Sequence, residues 1–339
     1  MKDRPARRGT TTAPQDRSPR KASFMALPSP REPRWQHRTM GDMNQTPAEG
    51  GIRSEHTDGT LPSGQYWQGW PVQAPAGVVV LVHGVHEHSS RYRHVAGRLS
   101  AARYAVYAVD HPGHGRSPGT RDNIDSMAAA VQGVGMLARL AGQRHPDVPL
   151  FVYGHSLGGL IALQYLTGTP DERIRGGVLS APALDTSAAT GAQKLVAPLL
   201  SRLLPDAGVT TLDLDAISRD QEVVQAYRAD VLNYTGKIRA RTGAEIMLAV
   251  SVMPQRLTSL TLSLLVLHGS ADRLVPPAAS EVVRANAGSP DLTVKIYDGL
   301  YHELHNEPEQ QEALDGIVAW LDAHLDTLPA PPGSHQRSM

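Results

Sequence analysis

The stretch LFVYGHSLGGLIALQYL, residues 150–166, decides the fold. Leu150 to Tyr153 is a short apolar run that reads as a buried strand, and Leu157 to Leu166 is apolar at helical length. The turn between them, Gly154-His155-Ser156-Leu157-Gly158, fits G-x-S-x-G. So sharp a strand-to-helix turn lifts the serine hydroxyl out of the sheet, and its glycines let the backbones pack closely. Leu157 follows the serine and has a backbone N–H to offer a developing oxyanion. Ser156 is therefore the candidate nucleophile. Neighbours on such a turn point apart, so His155 reads as a packing residue rather than the base.

The pentapeptide alone does not settle this, because Gly115-Arg116-Ser117-Pro118-Gly119 fits the same pattern. Pro118 has no N–H where the oxyanion donor is needed. Ser117 is read as a turn residue.

On either side of the elbow, short β-rich runs recur: Val78 to Val82, Tyr104 to Val109, Gly177 to Leu179, Leu262 to Leu267 and Leu292 to Tyr297. Helical spacing links Ile124, Met127, Val131, Val134 and Ala138. It also links Leu314, Ile317, Val318, Leu321 and Leu325, with Asn306 as their candidate cap. Strand and helix alternate, which predicts an α/β fold with a mostly parallel central sheet and helices on both faces. From Leu184 to Thr258 the alternation stops. Leu195, Val196, Leu199, Leu200, Leu203 and Leu204 form an apolar cluster, and a charged, helical-looking stretch runs from Asp220 to Lys237. With no clear strand there, residues 184–258 read as an inserted helical cap between core segments 51–183 and 259–327. Residues 1–50 are basic, rich in Arg, Pro, Ser and Thr, and without apolar periodicity, as in a disordered tail. Met40 and Met43 are candidate start sites. Residues 328–339 are Pro-rich and read as a loose end.

The 339 residues are 40% hydrophobic and 19% charged, which suits a globular chain with a sizeable core. Basic and acidic residues balance at 33 each, so no nucleic-acid partner is expected. The absence of cysteine excludes disulfides, thiolate chemistry and cysteine zinc sites. No apolar run reaches a membrane span and no secretory leader is visible, so a cytoplasmic location with peripheral membrane contact is expected. No Gly-rich nucleotide loop occurs. His83, His86 and His88 cluster without H-E-x-x-H and fit a loop better than a metal site, so neither metal nor cofactor is expected.

A serine hydroxyl needs a histidine base oriented by a carboxylate, in this fold in the order Ser, acid, His, at strand ends. The strand Leu262 to Leu267 runs into His268-Gly269-Ser270-Ala271-Asp272, which places Asp272 as the acid. The last strand runs into Asp298-Gly299-Leu300-Tyr301-His302, which makes His302 the base. Asp298 is a rival acid and His305 a rival base. The first core strand leads into His83-Gly84-Val85, and the Val85 N–H is the second oxyanion donor. The turn Asp110-His111-Pro112-Gly113-His114-Gly115 is read as a buttress.

These motifs together resemble the monoacylglycerol lipase family of α/β-hydrolases. His83-Gly84-Val85-His86-Glu87-His88-Ser89-Ser90-Arg91-Tyr92 is similar to its H-G-x-x-E-H-S-x-R-Y signature. The segments at 110–117, 154–159, 268–272 and 302–307 match its remaining motifs in order. The resemblance implies cofactor-free hydrolysis of monoacylglycerol to glycerol and a fatty acid. It also implies that Glu87, Arg91 and His305 lie near the glycerol end, although Glu87 and Arg91 also suit a structural pair. It further implies that the apolar stretch Leu195 to Leu204 forms an acyl tunnel mouth touching membrane or lipid-droplet surfaces, unless it packs on the core. Val85 and His86 stand where small residues are common, which predicts a narrower pocket. Alternatives are a lysophospholipase or another carboxylesterase or thioesterase on the same fold, and a non-catalytic receptor. An aspartate-nucleophile enzyme is disfavoured by serine at 156.

Overall fold

The computed structural model describes residues 56–185 and 191–326. Of the two units into which the chain divides, Met1–Gly51 and Ile52–Met339, these belong to the second. The tails read at 1–50 and 328–339 lie outside the described residues. The first core segment runs β1 (Thr57–Thr60), β2 (Tyr66–Trp70), β3 (Gly77–Val82), α1 (Arg93–Ala101), β4 (Tyr104–Val109) and α2 (Met127–Arg144). It continues through β5 (Leu150–His155), α3 (Leu157–Leu166) and β6 (Ile174–Ser180). Next come α4 (Gly191–Leu203), β7 (Gly208–Thr211), α5 (Gln221–Ala229), β8 (Lys237–Arg239) and α6 (Ala240–Leu257). The chain closes with β9 (Ser263–Gly269), α7 (Ala278–Asn286), β10 (Leu292–Tyr297) and α8 (Gln310–Ala323).

Eight strands form one sheet in the order β1-β2-β4-β3-β5-β6-β9-β10. The pairs from β4 to β10 are parallel, while β1 and β2 add antiparallel at one edge. Pleat alternation divides β3 between two cores. Val78, Val80 and Val82 pack with α2 and α3, whereas Val79 and Leu81 pack with α1 and α8. Every residue of β3, β4 and β5 is buried, which explains their unbroken apolar runs. The chain goes from β3 to β4, then crosses back over β3 to β5. The carboxyl ends of β3 and β5 therefore meet where the winding reverses, the place where such sheets bind ligands.

The elbow sits there. Ser156 has φ 53°, between a strand ending at His155 and a helix starting at Leu157. All ten residues of α3 are buried. Gly158 allows this helix to press against β3, because a Cβ there would lie 2.1 Å from the Val82 carbonyl oxygen.

Two strands lie outside the sequence pattern, and three expectations need correction. The edge strands β1 and β2 escape the apolar pattern, since β1 alternates half-buried and exposed residues. The region between β6 and β9 holds a two-stranded antiparallel ribbon, β7 with β8, as well as helices. Its strands are mostly exposed, so nothing apolar announces them. The charged helix there is shorter than the stretch read, with Asp220 capping it through the Glu222 N–H. Asn306 does not cap the last helix. Its side chain donates to Glu303 at 2.7 Å, and α8 starts only at Gln310.

Gly158→Ala is expected to lower stability by about 2–3 kcal/mol, because the methyl meets backbone that cannot retreat. By contrast, a methyl at Gly97, inside α1, meets open space. Gly97→Ala should stabilise by about 0.5–1 kcal/mol. Urea midpoints of the two variants, moving in opposite directions, check both.

Candidate active site

Asp272 lies in the turn after β9, and its carboxylate is fully engaged. Oδ1 accepts the Leu274 and Val275 N–H groups at 2.8 and 3.0 Å. Oδ2 lies 2.7 Å from His302 Nδ1 and 3.1 Å from His268 Nε2. Burial works against the charge of Asp272, but His302 and these donors outweigh it and hold the carboxyl well below the usual range. Sequence reading missed His268, which steadies Asp272 from the end of its own strand.

His302 lies beyond β10, with its Nδ1 committed to Asp272. Burial lowers its pKa, yet the Asp272 charge and hydrogen bond, helped by Glu303 and Glu87, leave it raised above the ordinary histidine value. The His155 ring lies 4.7 Å from that of His302, and burial holds it neutral with a pKa down to about 3. His155 thus packs behind the pair, as read. Ser156 and His302 line one cavity of about 420 Å³. No hydrogen bond joins the two side chains, a separation common before substrate draws such groups together.

The loop after β3 completes the site. Glu87 Oε1 accepts the Gly84 N–H at 2.6 Å, and the Tyr92 hydroxyl donates to the same oxygen at 2.7 Å. Among the described residues the Val85 and Leu157 N–H groups have no acceptor. Two free N–H groups therefore belong to residues that line the same cavity as Ser156, one on the loop after β3 and one at the start of α3. The turn after β4 braces this loop, because Asp110 accepts the Ser89 and Arg116 N–H groups, both at 2.8 Å. Ser117 donates to the Asp110 carbonyl at 2.6 Å and accepts the Tyr66 N–H at 2.9 Å. It is a turn residue.

The glycerol-end assignments divide. Glu87 lines the cavity, but Arg91 and His305 do not. Arg91 bridges Glu87 and a residue the sequence reading gave no role, Glu303, which it grips through two hydrogen bonds of 2.7 and 2.8 Å. Burial opposes ionisation of Glu303, but the Arg91 charge overrides it and keeps the carboxyl ionised. His305 is buried behind His155, stacked on Tyr92 at 4.7 Å. Proximity in the motif did not reveal which way these side chains turn. Nor is Asp298 near the base: it is held by the Ser270 hydroxyl at 3.0 Å, on an exposed turn.

The three loop histidines diverge. His83 turns to the Gly84 carbonyl, His86 to Asp122 and His88 to Asp230. Val85 lines the cavity but His86 does not. Residues between β6 and β9 wall the cavity: Leu212, Leu214, Ile217, Ile238, Ile246 and Val250 line it.

Residues 73–309 match the family model described as serine aminopeptidase, S33. The chain is 43% identical to a monoacylglycerol lipase of Mycolicibacterium smegmatis over 256 residues, covering 75% of this chain and 91% of that one. It is 33% identical to the human monoglyceride lipase, covering 82% of this chain and 92% of that one. The solved monoacylglycerol lipase of Paleococcus ferrophilus superposes with a TM-score of 0.68 at 32% identity, covering 77% of this chain and 99% of that one. A family match over residues 73–309, with relatives this similar along most of both chains, means that the chain belongs to the monoacylglycerol lipase family of α/β-hydrolases.

Proposed function

We propose that this chain is a lipid ester hydrolase that cleaves monoacylglycerols to glycerol and a fatty acid through an acyl-enzyme on Ser156. The observation that carries the reading is a single cavity lined by Ser156, His302, Glu87 and Glu303 together with the apolar Leu212, Leu214, Ile217, Ile238, Ile246 and Val250. An acyl chain suits the apolar residues, and a small polyol suits the polar ones. The relatives' names favour the same substrate class.

In this mechanism His302 Nε2 takes the Ser156 proton as Oγ attacks the ester carbonyl. Asp272 holds the imidazole through Nδ1 and stabilises the imidazolium. The Val85 and Leu157 N–H groups donate to the oxyanion. His302 then gives its proton to the departing glycerol oxygen as the acyl–oxygen bond breaks. Water, deprotonated by the same nitrogen, attacks the acyl-serine, and the proton returns to Ser156 as the fatty acid leaves. Glu87 accepts from a glycerol hydroxyl, while Arg91 fixes Glu87 from behind.

Among the described residues no helix is long and apolar enough to cross a membrane. The cap instead exposes Val196, Leu199 and Leu203 along one face of α4, with Leu204 just beyond. That row supports transient contact with a lipid surface during substrate capture.

A fluorophosphonate should label the chain, and Ser156→Ala should abolish both the label and glycerol release. Ser117→Ala should keep both and lose about 1–2 kcal/mol of stability. Hydrolysis of lysophospholipid with no glycerol released from monoacylglycerol would overturn the substrate assignment.

Only neutral His302 acts as base, and its pKa is raised. Activity is thus expected to fall as pH drops through a midpoint above about 6.5. Asp272→Asn should cut kcat by about 10³-fold or more. It should also move that midpoint downward, and the pH–rate profile of its residual activity measures the shift.

A further inference from the structure

Two residues that the proposed chemistry leaves unused face each other in strained backbone. His86 has φ 68° and Asp122 has φ 66°, a left-handed conformation that residues with a side chain rarely hold unless their surroundings impose it. Both are buried. His86 Nε2 lies 3.2 Å from Asp122 Oδ2, off line for a hydrogen bond.

His86 stands between Val85, whose N–H is free, and Glu87, whose carboxylate holds the Gly84 N–H. It reaches the cap twice. Its carbonyl accepts the Tyr234 N–H at 2.7 Å, and its ring meets the Tyr234 ring edge-on, with centroids 5.2 Å apart. Asp122 is fastened to the cap as well. Its Oδ2 accepts the Arg239 N–H at 3.0 Å, and its carbonyl accepts the Thr242 hydroxyl at 2.6 Å. On the core side, His114 Nε2 lies 3.4 Å from Asp122 Oδ1.

A glycine at 86 would hold this backbone without strain. What histidine adds is its ring, and the ring's contacts run to Asp122 and Tyr234. We propose that His86 is a positioning residue, which ties the Val85 N–H to the cap through Tyr234 and Asp122. This rests on the reading of Val85 as an oxyanion donor. The cap that walls the acyl site thereby also sets the geometry of the oxyanion loop. A shift of this segment would therefore move the donor away from the ester carbonyl.

The test uses the full chain and a monoacylglycerol substrate. His86→Gly keeps a residue that accepts the left-handed backbone and removes only the ring. Its kcat is expected to fall about tenfold or more with KM within about threefold, since a displaced oxyanion donor acts on the transition state rather than on binding. Tyr234→Ala should give a similar fall, and the double variant no larger one, because both changes cut one linkage. A packing defect alone would lower Tm but leave kcat unchanged below the unfolding range. Wild-type kcat in His86→Gly would overturn the proposal, as would a KM-only effect or losses that multiply in the double variant. If Ser156→Ala is inactive in the same assays, such a result removes the clamp and leaves the proposed function standing. Glycerol release that survives Ser156→Ala would remove both.

Discussion

The close approach of α3 to β3 is the constraint on which the site depends. With only a hydrogen on its α-carbon, Gly158 lets the first turn of α3 sit against the Val82 and His83 carbonyls. That contact brings the end of β5 beside the end of β3. It places Ser156 and Leu157 next to the loop that carries Val85, and all three line one cavity. Had the helix stood further off, these residues would not share a cavity wall. The positive φ of Ser156 is the strain that accompanies this arrangement, held in place by a helix buried on every side.

Around this frame, buried charge is used to give shape. Glu87 and Glu303 are both removed from water, and a single guanidinium, Arg91, serves both. Ions buried this way persist only when paired and hydrogen-bonded. Here the pairing does local work on both sides of the nucleophile. Glu87 consumes the Gly84 N–H, so that of Val85 is the one left over. Glu303 follows His302 directly in the chain, so the Arg91 link joins the loop after β3 to the loop after β10. The net negative charge left there helps to keep the His302 pKa raised.

Much of this was legible in the sequence, and the reasons differ by element. The core strands β3, β4 and β5 are covered on both faces and so print as continuous apolar runs. The positions of Ser156, Asp272 and His302 follow from strand ends and chain order, two features that local sequence records. The edge strands and the β7–β8 ribbon lack a buried face and leave no such trace. The roles of Glu303 and Asp122 depend on partners far away in the chain, Arg91 in one case and the cap in the other. Arg91 and His305 were placed at the cavity by the motifs they belong to. A motif fixes neighbours along the chain, but the direction a side chain takes depends on packing.

The origin of the cavity walls has a further consequence. Apolar residues lining the cavity come largely from the segment between β6 and β9, while Ser156 and His302 come from the carboxyl ends of sheet strands. Substitutions at these wall positions can therefore reshape the cavity while Tyr234, Arg239 and Thr242, from the same segment, keep their hold on His86 and Asp122. A protein built this way can evolve new pocket shapes by point changes along one contiguous piece of its gene, provided the few residues of that piece that grip the sheet loops are kept.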